Sequence, residues 1–178
     1  MAGVFIAFFG NAPPFRLNYV GLGELATGIG SGPLIVLGSY YVQAQRATYE
    51  ALWASIPVGL LGAAILWINQ FPDYEADRDA GKLNCLVRLG RDRSRYIYSL
   101  LMLGPYAVVL LWVLTQSDAW PYLAVILTIP IALKAIKILS AHYQTYDEII
   151  PAQALTIQTH LALGLVFAAA LVFQKLVL

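Results

Sequence analysis

Five charge-free stretches, residues 25–45, 51–72, 96–117, 119–133 and 149–174, dominate this 178-residue chain and leave few folds open to it. A hydrocarbon core about 30 Å thick takes roughly 20 helical residues to cross, and a helix satisfies its own backbone donors and acceptors where water cannot. Four of the stretches meet that length outright. The fifth, 119–133, reaches it by drawing on Lys134 and Lys137, whose stems snorkel their charge toward the headgroups. With 60 % apolar and 12 % charged residues, the chain has too little charge to solvate a globule's surface. Its net charge of +1 offers no basic face for nucleic acid. The expected fold is all-α: a polytopic transmembrane helix bundle of five full spans plus a partial N-terminal one in residues 1–10, a single membrane domain over 1–178 within the lipid bilayer. The lone cysteine, Cys85, excludes an internal disulfide framework. The opening MAGVFIAFFGNAPPF lacks the basic start and small-residue cleavage site of a signal peptide.

The charges cluster. Residues 73–95 hold five acidic side chains (Asp73, Glu75, Asp77, Asp79, Asp92) and six basic ones (Arg78, Lys82, Arg88, Arg91, Arg93, Arg95), about half the charge of the whole chain in one connection. One charge at mid-bilayer costs about 2.5 to 3.5 kcal/mol on insertion scales, so this segment belongs outside the hydrocarbon. Alternating the spans puts Arg16, the six basic loop residues and the Lys134/Lys137 pair on one side, against Arg46 and Lys175 on the other. That asymmetry predicts a cytoplasmic charged loop and a multi-pass protein of the cell membrane. Within the spans, the glycines from Gly21 to Gly38 read as helix-packing positions, Trp53, Trp67, Trp112 and Trp120 as interfacial anchors, and His160 as an interhelical hydrogen bond with Thr156 nearby. Glu24 reads as either a helix N-terminal anion or a cavity-facing acid.

The second span ends in Asn69-Gln-Phe-Pro-Asp73-Tyr-Glu-Ala-Asp77-Arg-Asp79-Ala-Gly81-Lys82. On an unbroken helix the spacing of four aligns Asn69, Asp73 and Asp77 in one stripe, each step rising about 6 Å. Two carboxylates and an amide oxygen suit Mg²⁺, which takes one or two carboxylates plus substrate phosphate oxygens. Arg78, Lys82 and Arg88 follow at once with cations for a diphosphate. A helix end whose charges are merely paired and solvated accounts for the same spacing equally well.

The stretch NQFPDYEADRDAGKLNCLVRLGR resembles the second aspartate-rich motif of the UbiA superfamily of intramembrane aromatic prenyltransferases, through Asp73-xxx-Asp77, Gly81-Lys82 and Val87-Arg88-Leu89-Gly90. Residues 12–43 and 151–167 are similar as well, most of all to the 1,4-dihydroxy-2-naphthoate prenyltransferases of menaquinone synthesis. The resemblance implies a bundle of nine spans around a cavity open to lipid, where two aspartate-rich motifs hold Mg²⁺ and the diphosphate of a polyprenyl donor. Ionisation of the donor yields a carbocation that alkylates an aromatic ring. Carried onto this chain, it assigns Asp73 and Asp77 to metal and Asn69, Arg78, Lys82 and Arg88 to diphosphate, with Asp73, Asp77 and Lys82 as catalytic groups. The family's first aspartate-rich motif does not occur in residues 1–178. Leu83, Asn18, Val20, Gly28 and Gly30 also depart from the pattern. The chain thus resembles the C-terminal half of such an enzyme.

The function expected is Mg²⁺-dependent prenyl transfer from polyprenyl diphosphate to an aromatic quinone precursor of the 1,4-dihydroxy-2-naphthoate kind, with a separate N-terminal half as the partner that completes the site. The alternative is a non-catalytic membrane protein, a truncated remnant or an assembly partner. A transporter fits less well, because the acidic cluster sits at a helix end rather than at mid-membrane.

Overall fold

A computed structural model describes residues 2–177 as helices joined by short connections, with no strand among the described residues. The order is α1 (Ala2–Phe9), a short turn of 3-10 helix (Leu17–Tyr19), α2 (Gly23–Ile29), a π-turn (Gly30–Leu34), α3 (Ile35–Ala44), α4 (Tyr49–Asn69), α5 (Tyr74–Asp79), α6 (Cys85–Leu89), α7 (Arg91–Thr115), a 3-10 segment (Ser117–Thr128), α8 (Ile129–His142) and α9 (Tyr146–Val177). Five passages, Gly23–Ala44, Tyr49–Asn69, Arg91–Thr115, Asp118–His142 and Tyr146–Val177, are long and apolar enough to cross a membrane. The chain is thus an all-helical, multi-pass membrane protein.

Local chemistry explains where the passages begin and bend. Thr48 caps α4, its Oγ1 accepting from the Ala51 amide at 3.3 Å. α3 stops at Gln45, which takes the left-handed conformation at φ 53°. Pro33 lies inside the first passage, where its missing N–H and its ring forbid an ordinary helical turn, and the backbone widens there into the π-turn. Pro57 is carried within α4, which runs on to Asn69. The fourth passage outruns its charge-free stretch: α8 continues past Lys134 and Lys137 to His142.

α4 is the central passage. Over its apolar window 56 % of residues are buried inside the protein, against 6 % for Gly23–Ala44, which packs chiefly on α4. Glycines set that packing distance. A Cβ on Gly32 would fall 2.5 Å from the Ser55 carbonyl oxygen and 2.6 Å from the Gly59 Cα, so the two backbones touch where these residues meet. The core joins α4, α7 and α9 with the 3-10 segment and α8. Two of its hydroxyl pairs bridge helices: Tyr98 shares a 2.6 Å bond with Thr156, and Tyr106 a 2.8 Å bond with Thr128.

Two expectations are corrected. Trp67 and Trp112 are buried rather than interfacial. The Trp67 indole donates to the Ser94 carbonyl at 3.0 Å. Trp112 stacks between Trp53, 6.4 Å away, and Tyr122, 4.3 Å away. An aromatic ring that finds another ring to pack against gains more inside than at the headgroups. His160 does not join Thr156, whose hydroxyl is committed to Tyr98 and to the Ala152 carbonyl, and the His160 Nδ1 is left buried without a partner.

The two ends of the bundle differ. At one end Gln174 reaches Tyr122 and Asp118. At the other lie residues 70–90, where Asn69 meets Gln153 and where Arg95 donates to the Ser140 carbonyl. The Gly21 turn packs against this second end through Cys85, bringing the connection that carries Arg16 to the same side as the charged loop.

Candidate functional site

The helix carrying Asn69 does not run on to Asp73 as the spacing of four suggested. α4 ends at Asn69, residues 70–73 form a turn, and α5 begins at Tyr74. Pro72 is the physical reason: it has no N–H for the Ile68 carbonyl and its ring would crowd that residue's turn. The amides of Gln70 and Phe71 fall back to i−3 bonds with Trp67 and Ile68, as at a tightening helix end. The single unbroken stripe is therefore corrected to two helix ends meeting at a corner. The step from Asp73 to Asp77 alone stays helical, the Asp77 amide donating to the Asp73 carbonyl at 2.7 Å.

The end of α5 then returns the chain to its own carboxylate. Gly81 takes φ 69°, open to glycine at little cost, and its amide donates to the Arg78 carbonyl while the Lys82 amide donates to the Asp77 carbonyl at 2.8 Å. These paired bonds are the Schellman ending of a helix, which folds the next residue back over the last turn. Lys82 is that residue. Its Nζ lies 3.1 Å from Asp77 Oδ1 and 3.0 Å from Oδ2. Both side chains are shielded, with Asp77 only 13 % exposed and Lys82 23 %. Asn84 completes the group, donating to Asp77 Oδ2 at 2.7 Å while its own Oδ1 caps α6 by accepting from the Val87 amide at 2.8 Å.

The other sequence candidates are placed differently. Asn69 accepts from Gln153 of α9 at 3.0 Å. Asp73 is exposed and makes no capping bond. Arg78 is drawn outward into pairs with Glu75 at 2.6 Å and Asp79 at 3.6 Å. Arg88 is exposed, its Nε donating to the Leu83 carbonyl at 2.7 Å. Arg91 pins the corner to α7, lying 4.7 Å over the Tyr74 ring and 3.6 Å from Glu75. Thus Asp77 and Lys82 are brought into contact, while Arg78 faces away from that pair and Asn69 is bound to another helix. No cluster of three or more His, Cys, Asp or Glu side chains fit to hold a metal occurs among the described residues. Asp73 and Asp77 still meet the modest need of Mg²⁺ beside a diphosphate, one or two carboxylates.

Sequence reasoning passed over three polar partners. Asn84 carries a readable signal, an asparagine directly before the short apolar run Cys85–Val87 that opens α6. Gln70 and Gln153 carry none, because each meets its partner only through tertiary packing. Glu24 resolves to the cavity-facing option: it is 6 % exposed, lines an apolar cavity between α2, α4 and α7, and accepts on Oε1 from Gln70 Nε2 at 2.9 Å and from the Cys85 amide at 3.2 Å.

Cys85 reports on this environment. Burial first, then the nearby Glu24 carboxylate, push its thiol up to about 11 from an ordinary 9.0, with Arg88 opposing weakly. A raised value keeps the thiol protonated and unreactive at neutral pH. Maleimide labelling of the folded chain at pH 7 should be about a hundredfold slower than for an unperturbed thiol and should rise about tenfold per pH unit up to pH 10. Fast labelling at pH 7 would contradict the packing of residues 83–88 against α2.

Comparison with known proteins agrees with the architecture. The chain is 31 % identical over 166 residues to a 2-carboxy-1,4-naphthoquinone phytyltransferase of Synechocystis, covering 93 % of this chain and 54 % of that protein. It is 34 % identical over 135 residues to a 1,4-dihydroxy-2-naphthoate octaprenyltransferase of Mycobacterium tuberculosis, covering 76 % and 44 %. To the Escherichia coli octaprenyltransferase of the same description it is 32 % identical over 126 residues, covering 70 % and 40 %. The chain spans about half the length of the curated relatives it matches. Residues 1–149 match the UbiA prenyltransferase family, and with the helical corner that carries Asp73, Asp77 and Lys82 at a bundle end, the chain belongs to that family.

Proposed function

We propose that this chain supplies one wall of a Mg²⁺-dependent prenyl-transfer site in a cell membrane, acting on a polyprenyl diphosphate and an aromatic quinone precursor such as 1,4-dihydroxy-2-naphthoate. The observation that carries the reading is the Schellman-turned Lys82 held on Asp77 at the end of α5, where Asn84 bonds Asp77 and its neighbour, Cys85, bonds the cavity-lining Glu24. A free diphosphate brings about three negative charges at neutral pH, and Asp73 and Asp77 add two, so both metal and basic side chains are needed to balance them. Asp73 and Asp77 would hold the metal, and Lys82 and Arg88 would contact diphosphate oxygens; Asn69 and Arg78 are placed to do so only after leaving Gln153 and Glu75. A bound Mg²⁺ supplies Lewis-acid withdrawal of electrons from the leaving diphosphate.

The chain's own residues do the remaining work. Asn84 orients the Asp77 carboxylate and, through its cap on α6, fixes where Arg88 stands. Lys82 stores its charge on Asp77 until a diphosphate offers a stronger partner. The apolar walls of the cavity keep water from a carbocation. An N-terminal half would supply the opposing wall and the remaining ligands; the relatives' chains are about twice as long as the part matched here. The 178 residues alone should therefore bind a polyprenyl diphosphate in a Mg²⁺-dependent way, losing it on chelation, yet give no prenylated naphthoate. Binding indifferent to Mg²⁺ would overturn the metal assignment.

A further inference from the structure

We propose that Glu24 is the specificity-determining contact for the aromatic acceptor, its second carboxylate oxygen accepting a hydrogen bond from a ring hydroxyl of an aromatic diol seated in the cavity between α2, α4 and α7. The inference deepens the reading above and rests on it. The cavity is about 340 Å³, within the range that takes small organic ligands. Its walls are Leu, Ile, Pro, Ala and Gly side chains together with Trp67, and the Trp67 N–H is already committed to Ser94. Glu24 is the one ionisable residue that lines it.

That carboxylate is half satisfied. Oε1 takes both protein donors, Gln70 Nε2 and the Cys85 amide, whereas Oε2 is buried with no hydrogen-bond partner, and the neighbouring Gln70 Oε1 is buried and unpartnered as well. No salt bridge to Glu24 forms among the described residues. A buried carboxylate oxygen without a donor is costly, and a site that keeps one is complementary to a ligand that brings the donor. A prenyl chain has no donor to offer. A hydroxylated aromatic ring has one, with a flat apolar body that suits the remaining walls.

Position favours the same ligand. Glu24 bonds Gln70, which follows Asn69, and Cys85, which follows the Asn84 that holds Asp77. Glu24 is thus bonded to the immediate chain neighbours of two residues of the corner assigned to the diphosphate, which ties the cavity wall to the place where an acceptor carbon has to meet the donor. Hydrogen bonding to the carboxylate also raises electron density on the ring, which assists attack on a carbocation.

Glu24→Gln isolates the claim. Both donors on Oε1 require an acceptor there, so the amide oxygen takes that place and the NH₂ replaces Oε2, preserving the clamp while turning an acceptor into a donor. Equilibrium dialysis in detergent, without Mg²⁺ or diphosphate, would compare 1,4-dihydroxy-2-naphthoate with its 1,4-dimethyl ether on the 178-residue chain. The expected result is binding of the diol about tenfold weaker to Glu24→Gln than to wild type, with the ether, which accepts but cannot donate, bound no more weakly by the variant than by wild type. Ile97→Trp, which fills the cavity and leaves Glu24 in place, should weaken both compounds and keeps the test open if Glu24→Gln misfolds. Equal binding of the diol by wild type and Glu24→Gln, equal loss of diol and ether, or indifference to Ile97→Trp would overturn the proposal and leave the diphosphate reading standing. No binding of the diol to wild type would overturn it together with the aromatic-acceptor assignment.

Discussion

Asp73→Asn should weaken Mg²⁺-dependent binding of a polyprenyl diphosphate by at least about a hundredfold while leaving the thermal unfolding midpoint unchanged. Asp73 is exposed and makes no capping bond, so the fold gains little from its charge; surface substitutions of that kind stay within about 0.5 kcal/mol. A metal ligand lost beside a multiply charged substrate costs far more, because one fewer carboxylate anchors the ion that neutralises it. Asp77→Asn should lose both properties. Its carboxylate takes Lys82 on both oxygens and Asn84 on one, and bonds to a charged group contribute about 1.5 to 3 kcal/mol each. Asp92→Asn should lose neither: Asp92 lies in the first turn of α7, paired with Arg95 at 3.0 Å and outside the corner. Equal losses from all three substitutions would mean that the loop's bulk charge attracts the diphosphate, with no specific ligands.

Lys82→Ala in an enzyme completed by an N-terminal half should lower kcat by about 10²- to 10³-fold, the scale seen when one preorganised donor to a developing anion is removed. In the free protein Lys82 is neutralised by Asp77. Charge grows on the leaving diphosphate as the carbon–oxygen bond breaks, so the ammonium is worth most in the transition state, and kcat falls together with kcat/KM. A rise in KM with kcat unchanged would demote Lys82 to a docking charge. Lys82→Arg should recover only part of the rate, because a guanidinium grips both Asp77 oxygens bidentately and, being longer and planar, does not place a compact charge where the ammonium stood.

How much of this was legible beforehand follows the range of the physics involved. The passages were readable because charge-free length is a local property that the bilayer enforces. Lys82 facing Asp77 was readable too, since Gly81 marks the positive φ that ends α5. The break between Asn69 and Asp73 was signalled by Pro72, but the spacing of four was given more weight than the proline that interrupts it. Trp67, Trp112 and His160 were misread because their surroundings come from α7, the 3-10 segment and α9, distant in the chain. The free oxygen of Glu24 was beyond reach for the same reason, as Gln70 and Cys85 lie 46 and 61 residues away.

The central claim, that residues 69–88 form a working wall of a prenyl-transfer site, is tested most directly by joining this chain to the N-terminal part of one of its relatives and measuring prenylated naphthoate formed with Mg²⁺ and polyprenyl diphosphate. The account predicts turnover by the hybrid, its loss in the Asp73→Asn hybrid at an unchanged unfolding midpoint, and its survival in the Asp92→Asn hybrid. A folded hybrid without turnover, or one in which Asp73→Asn is as active as the parent, would contradict it.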